Sequence, residues 1–215
     1  MIKGIIFDLD GTLIDTLEDI GNSVNAVLED YAFPTYEIVD YRKMVGRGFR
    51  SLIEKAMPDG LKSEQYDEAL EKFTYYYDKY YMDTTKAYEG IKELLNNLQN
   101  QGIKVAINSN KRNDYAQKLA AYIFEGVDFT AVLGSRENVA NKPDPTTALE
   151  IIDLMGFEKN EVLYVGDSET DIKTAKNAGL KVIAVSWGFS DLEKIEVLNP
   201  DFIVNKPAEI LEIIK

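Results

Sequence analysis

The chain reads Ile5-Ile6-Phe7-Asp8-Leu9-Asp10-Gly11-Thr12 early in its course, and this stretch decides the fold. Its apolar opening is that of a short strand covered on both faces, as in a parallel sheet. Residues two apart on a strand point the same way. A strand that runs out at Asp8 therefore projects Asp8 and Asp10 from its carboxyl end, where open α/β sheets bind ligands. Two carboxylates this close need a cation, a shared proton or solvent. Gly11 permits a tight turn and close approach of backbone to a ligand. The arrangement predicts a carboxylate nucleophile assisted by a metal, with a second carboxylate for proton transfer. A calcium hand is a poor reading. It wants oxygen ligands just after the glycine and a Glu at the twelfth loop position, where this chain has Leu13, Ile14 and Asp19.

Three further motifs follow in order. The apolar run Val105-Ala106-Ile107 ends at Asn108-Ser109-Asn110-Lys111; Lys142 stands in Asn141-Lys142-Pro143-Asp144-Pro145; Val162-Leu163-Tyr164-Val165-Gly166 ends at Asp167-Ser168-Glu169-Thr170-Asp171. The set resembles the haloacid dehalogenase-like hydrolase superfamily, and within it the helical-cap phosphatases of the phosphoglycolate phosphatase type. The resemblance runs the whole length of the chain. It implies that Asp8 is the nucleophile, forming an aspartyl-phosphate, and that Asp10 is the acid and then the base. It implies a magnesium ion (Mg2+) held by Asp8, by the main-chain carbonyl of Asp10 and by Asp167. Asp171 would orient a metal-bound water or Lys142, or serve as a helix-start residue favoured by the helix dipole. Ser109 would donate its hydroxyl, and Asn110 its amide, to a phosphoryl oxygen. The alternative for Ser109 is a cap for the helix starting near Asn113. Lys142 would stabilise the charge of the phosphate and of Asp8, or lie exposed in its loop. Lys111 and Arg112 read as surface residues.

Around these motifs, runs rich in β-branched residues predict strands at Ile2–Phe7, Ile103–Ile107, Phe129–Leu133, Val162–Val165, Val182–Val185 and Phe202–Val204. Helical patterns at Gly90–Asn100, Asn113–Phe124, Pro145–Met155 and Glu169–Ala178 separate the later ones. The alternation predicts an α/β fold, a doubly wound, Rossmann-like parallel sheet. Residues 15–83 break it. Leu17, Ile20, Val24, Val27, Leu28 and Tyr31 form one helical stripe, and Tyr66, Ala69, Leu70, Phe73, Tyr77 and Tyr80 another. Pro34, Gly46, Gly48 and Pro58-Asp59-Gly60 punctuate shorter helices between them. The expectation is a four-helix cap, 15–83, inserted into a core of 1–14 and 84–215, with hinges near Asp15-Thr16 and Asp83–Ala87. Asp15 and Glu18 suggest a capping box at the first cap helix. In Gly46-Arg47-Gly48 the glycines would present Arg47 to an anionic substrate tail, or the arginine would mark an exposed helix boundary. Trp187-Gly188-Phe189 reads as core packing.

Composition narrows the function. The net charge of −13, from 24 basic and 37 acidic residues, argues against a nucleic-acid partner, which needs basic stripes. No apolar run approaches the ~20 residues that span a bilayer, so no membrane partner is expected. Without cysteine or histidine, thiolate and imidazole chemistry are excluded. An all-oxygen site suits magnesium rather than zinc. The expected protein is a cytoplasmic phosphatase, monomeric or a weak homodimer, acting on a small phosphorylated metabolite such as phosphoglycolate or a sugar phosphate. A phosphomutase of the β-phosphoglucomutase type, a pyrophosphatase or nucleotidase, and a non-catalytic binding protein are the alternatives.

Overall fold

The computed structural model describes residues 1–58 and 62–215; the turn expected at Asp59-Gly60 lies outside them. The chain opens with β1 (Gly4–Phe7) and β2 (Ile14–Asp15), then runs through α1 (Leu17–Asp30), a 3-10 helix (Ile38–Lys43), α2 (Phe49–Ala56) and α3 (Ser63–Tyr80). It returns through β3 (Lys86–Ala87) to α4 (Ile91–Asn100), β4 (Lys104–Arg112), α5 (Asn113–Ile123), β5 (Phe129–Ser135) and α6 (Thr146–Met155). The last part holds β6 (Val162–Gly166), α7 (Glu169–Ala178), β7 (Lys181–Val185), α8 (Leu192–Glu196), β8 (Phe202–Val204) and α9 (Ile210–Ile213).

Six strands lie parallel in the order β5-β4-β1-β6-β7-β8. The strand with the acidic motif is thus central, between the strands carrying Ser109 and Asp167. The pleat sorts the side chains of β1. Ile5 and Phe7 enter a core with Leu94 and Leu98 of α4 and Leu119 of α5. Ile6 enters the opposite one, with Ile151 of α6 and Ile172 and Ala175 of α7. This is the doubly wound α/β fold expected. One element differs: β4 runs on to Arg112, past the expected end at Ile107. A register shift between Asn108 and Arg112 keeps the polar run Asn108–Lys111 extended, and all four residues are buried.

The helical insert between β2 and β3 has its own core. Leu17, Ile20, Val24, Val27 and Leu28 of α1 meet Leu52 and Ile53 of α2 and Ala69, Phe73 and Tyr77 of α3. Among the described residues it contains three α-helices and a 3-10 helix, in place of four helices. No capping box forms at α1: Asp15 Oδ1 accepts from Leu17 N at 3.2 Å, and the Thr16 hydroxyl is turned to Asp10. Two features dock the insert on the core. Tyr115 of α5 packs its ring 5.0 Å from Tyr77 and donates to Asp78 at 2.5 Å. At the crossings, β2 and β3 pair antiparallel, Ile14 with Ala87 and Asp15 with Lys86. Beside them the buried Asp19 carboxylate accepts from the amides and hydroxyls of Thr84 and Thr85 at 2.7 to 3.1 Å. Among the described residues no helix is long and apolar enough to cross a membrane.

Candidate active site

Asp8 directly follows β1, its amide bonded to the Val165 carbonyl at 2.9 Å. Asp167 follows β6, and Asp171 lies in the first turn of α7. Carboxylate oxygens of these three buried residues lie within 4.8 Å of one another. Lys142 reaches into the group from the loop before α6. Its three N–H donors go to Asp8 Oδ1 at 2.7 Å, Asp171 Oδ1 at 2.6 Å and the Asn108 carbonyl at 3.0 Å. Lys142 is therefore no exposed loop residue. The second oxygen of Asp171 accepts from the amide and hydroxyl of Ser168, which caps α7. Both Asp171 oxygens are thus engaged, one by Lys142 and one by Ser168.

Ser109 lies on the extension of β4, and its hydroxyl accepts from Lys111 N at 3.1 Å. It does not cap α5: Arg112 stands at that cap. Asn110 does more than offer an amide. Its side chain accepts from Lys142 N at 2.9 Å and donates to the carbonyls of Lys142 at 3.2 Å and Gly46 at 3.0 Å, so one residue joins the core loop to the insert. Asp8, Asp10, Ser109, Asn110, Lys142 and Asp167 line one cavity of about 60 Å³ between core and insert.

The structure does not bring Arg47 there. Gly46 and Gly48 line the cavity, while Arg47 is exposed and lines an adjoining cleft with Arg42 and Lys43. The reason is local: both glycines take positive φ, and the turn presents the Gly46 carbonyl to Asn110 instead of the arginine to the site. Arg42, unnoticed in the sequence, lines both spaces.

Lys111 corrects the sequence reading more sharply. It is a buried residue, not a surface one, and its Nζ lies 2.9 and 3.2 Å from the two oxygens of Asp10. Residue type alone gave no signal of this: the polar run after Ile107 reads as a loop, and the register shift in β4 is what keeps it extended and buried. Arg112 is exposed, as expected, and pairs with Asp114.

A loop after β7 closes the site from beneath. The Phe189 amide donates to Asp167 Oδ2 at 2.7 Å, and Trp187 Nε1 to the Thr12 carbonyl at 3.0 Å. Between them, a Cβ at Gly188 would lie 2.2 Å from the Asp167 Cβ. Gly11, with φ +85°, meets the same carboxylate from the other side: a Cβ there would be 2.5 Å from Asp167 Oδ2. The Trp-Gly-Phe run is thus packing that also holds an acidic group, and only backbone without a side chain fits at its middle.

Electrostatics give the site its character. Burial and the nearby Asp171 push the Asp8 carboxyl well above its ordinary value, against the pull of Lys142. Burial and Asp171 push Asp167 up to about 7, against the Phe189 amide and Lys142. Burial disfavours the charged form of both lysines, yet their carboxylate neighbours raise Lys142 and Lys111 above the usual lysine range. Four carboxylates, those of Asp8, Asp10, Asp167 and Asp171, face two ammonium groups. Ionising all four would leave two negative charges in excess on hard oxygen donors, which burial disfavours and a divalent cation would offset.

The family description "Haloacid dehalogenase-like hydrolase" matches residues 5–185 of the chain. The chain belongs to this family. It is similar to the phosphoglycolate phosphatase of Aquifex aeolicus, 31% identical over 99% of this chain and 96% of the relative. That of Haemophilus influenzae strain 86-028NP is also 31% identical, over 99% and 98% of the two chains. A crystal structure from Lactobacillus delbrueckii subsp. bulgaricus, provisionally assigned as a phosphoglycolate phosphatase, superposes with a TM-score of 0.93 at 28% identity, over 99% and 98% of the chains. This haloacid dehalogenase-like hydrolase is a phosphoric monoester hydrolase.

Proposed function

We propose that this hydrolase is a magnesium-dependent phosphatase of small phosphorylated metabolites, phosphoglycolate first among them, working through an aspartyl-phosphate on Asp8. The observation that carries the reading is the convergence of Asp8, Asp167 and Lys142 at one buried point beside Ser109. Relatives that match over nearly all of the chain are phosphoglycolate phosphatases, which favours a small phosphorylated substrate. Residues 15–83 form the cap in this reading, over a core of 1–14 and 84–215. The enzyme works in the cytoplasm as a monomer or weak homodimer.

Asp8, Asp167 and the main-chain carbonyl of Asp10 would hold the cation. It neutralises carboxylate and phosphate charge that would otherwise repel. Lys142, through its charge and by exchanging its bond to Asp8 for one to the phosphate, and the Ser109 hydroxyl, by donation, hold phosphoryl oxygens and orient the ester for in-line attack. An Asp8 oxygen attacks phosphorus while the bond to the alcohol oxygen breaks, and Asp10 gives that oxygen its proton. Asp10, now a carboxylate, takes a proton from water as the water attacks phosphorus. The Asp8–phosphate bond breaks, and inorganic phosphate leaves.

The test is phosphate release from phosphoglycolate, sugar phosphates, pyrophosphate and nucleotides, with magnesium or with chelator, for the native chain and Asp8→Asn. The reading expects release that falls by on the order of 10³-fold or more in the variant and vanishes in chelator. Release undiminished in either case overturns the mechanism. Conversion of β-glucose 1-phosphate to glucose 6-phosphate without phosphate release makes the protein a mutase.

A further inference from the structure

The chemistry above leaves one buried cation without a task. The Lys111 side chain is 1% exposed, on the bulged end of β4. Its Nζ bonds to both oxygens of Asp10, and Thr16 bonds to Asp10 Oδ1 at 2.8 Å. The other side of the ammonium is covered by the insert. The ring centroid of Tyr77 on α3 lies 5.1 Å from Nζ, and that of Phe49, first residue of α2, 5.8 Å. An aromatic face attracts a cation but accepts no proton from it in place of a carboxylate. With the rings in place, Asp10 is the sole carboxylate bonded to Lys111 among the described residues. Exposure to water would weaken that pairing.

We propose that Lys111 is a positioning residue that fixes the Asp10 carboxylate for proton transfer and makes that placement depend on the packing of α2 and α3 against the core. The inference rests on the roles given to Asp8 and Asp10. Lys111 touches neither Asp8 nor, in this role, the phosphoryl group; it acts through Asp10 alone. Its loss should therefore slow the steps that need a proton moved and spare the one that does not.

Acetyl phosphate separates these steps, because acetate leaves without needing a proton. Attack by Asp8 still phosphorylates the enzyme, while hydrolysis of Asp8-phosphate still needs Asp10 as base. The experiment uses the full chain with magnesium and follows the phosphorylated fraction by intact mass, with turnover measured in parallel. Lys111→Met should accumulate phosphorylated protein with acetyl phosphate, where the native chain shows little. Its turnover of phosphoglycolate should fall by about 10²-fold without accumulation. Lys111→Arg should restore part of the turnover, and Phe49→Leu should show the same accumulation more weakly. A folded Lys111→Met protein that slows on both substrates without phosphoenzyme, or does not slow at all, overturns the proposal. If Lys111→Met fails to fold, Lys111→Arg decides: slowing without phosphoenzyme overturns the proposal, and slowing with it supports the proposal. Asp8→Asn, run alongside, must remain unphosphorylated. Phosphate found on that variant overturns the aspartyl-phosphate reading itself and takes the role of Lys111 with it.

Discussion

Asp8 and Asp10 are two residues apart, yet different parts of the molecule hold them. Every charged neighbour of Asp8 comes from the sheet and its loops: Lys142, Asp167 and Asp171. Asp10 is bonded by Thr16, where the chain crosses into the insert, and by Lys111, which lies under rings of α2 and α3. The first environment is complete without the insert. The second requires it. In the proposed mechanism, the nucleophile would thus be built into the core, while the proton-transfer group would answer to whatever covers the site.

Removing each of the two lysines should test this difference. Lys142→Met leaves two carboxylates buried without their ammonium, a change that costs about 3–5 kcal/mol and abolishes phosphate release. Lys111→Met leaves one carboxylate, and that side chain is 19% exposed, so its unfolding free energy in urea should fall less. Equal losses would show that Asp10 is as deeply dependent on the core as Asp8. The next effect in size probes the crossing. Asp19→Asn weakens charge-assisted bonds to Thr84 and Thr85 worth about 1.5–3 kcal/mol each with a fully charged acceptor, with total destabilisation on the order of 2 kcal/mol. It should slow hydrolysis of the phosphoenzyme more than its formation, measured by quenched-flow with acetyl phosphate. Equal slowing would detach Asp10 from the insert.

The remaining effect concerns pH and metal. Asp8 and Asp167 hold protons more tightly folded than unfolded, because burial and Asp171 raise both. For Asp167 the window lies between the ordinary 3.8 and about 7. Across it the folded state binds more protons, so metal-free stability should fall as pH rises. A divalent cation at about ten times its Kd should return about 1.4 kcal/mol above that window. A melting temperature in chelator that rises with pH over the same range would count against the carboxylate cluster as a cation site.

The sheet was legible because its strands are short apolar runs broken by turn residues, and the central acidic motif fixed their direction. The carboxylates were legible because residue type and spacing carry their chemistry. Lys111 was not, since a polar run after an apolar strand reads as loop. Only the bulge in β4 and the covering rings of the insert, both tertiary, make it buried. Arg47 failed for the converse reason. Its flanking glycines signalled a special backbone, but not that Asn110 is what the backbone turns toward. The support that the Phe189 amide gives Asp167 leaves no mark on residue identity beyond the glycine before it.

The pairing of Ile14 with Ala87 and of Asp15 with Lys86 places the entry and exit of the helical insert side by side. Its two ends form one seam. A foreign helical unit with equally close termini has a natural splice point there, and the sheet would not register the exchange. Such a chimera would inherit the nucleophile whole. It would have to bring its own aromatic cover for Lys111, beside partners for Tyr115, Asn110 and Thr84-Thr85, and those requirements mark where recombination between relatives succeeds or stalls.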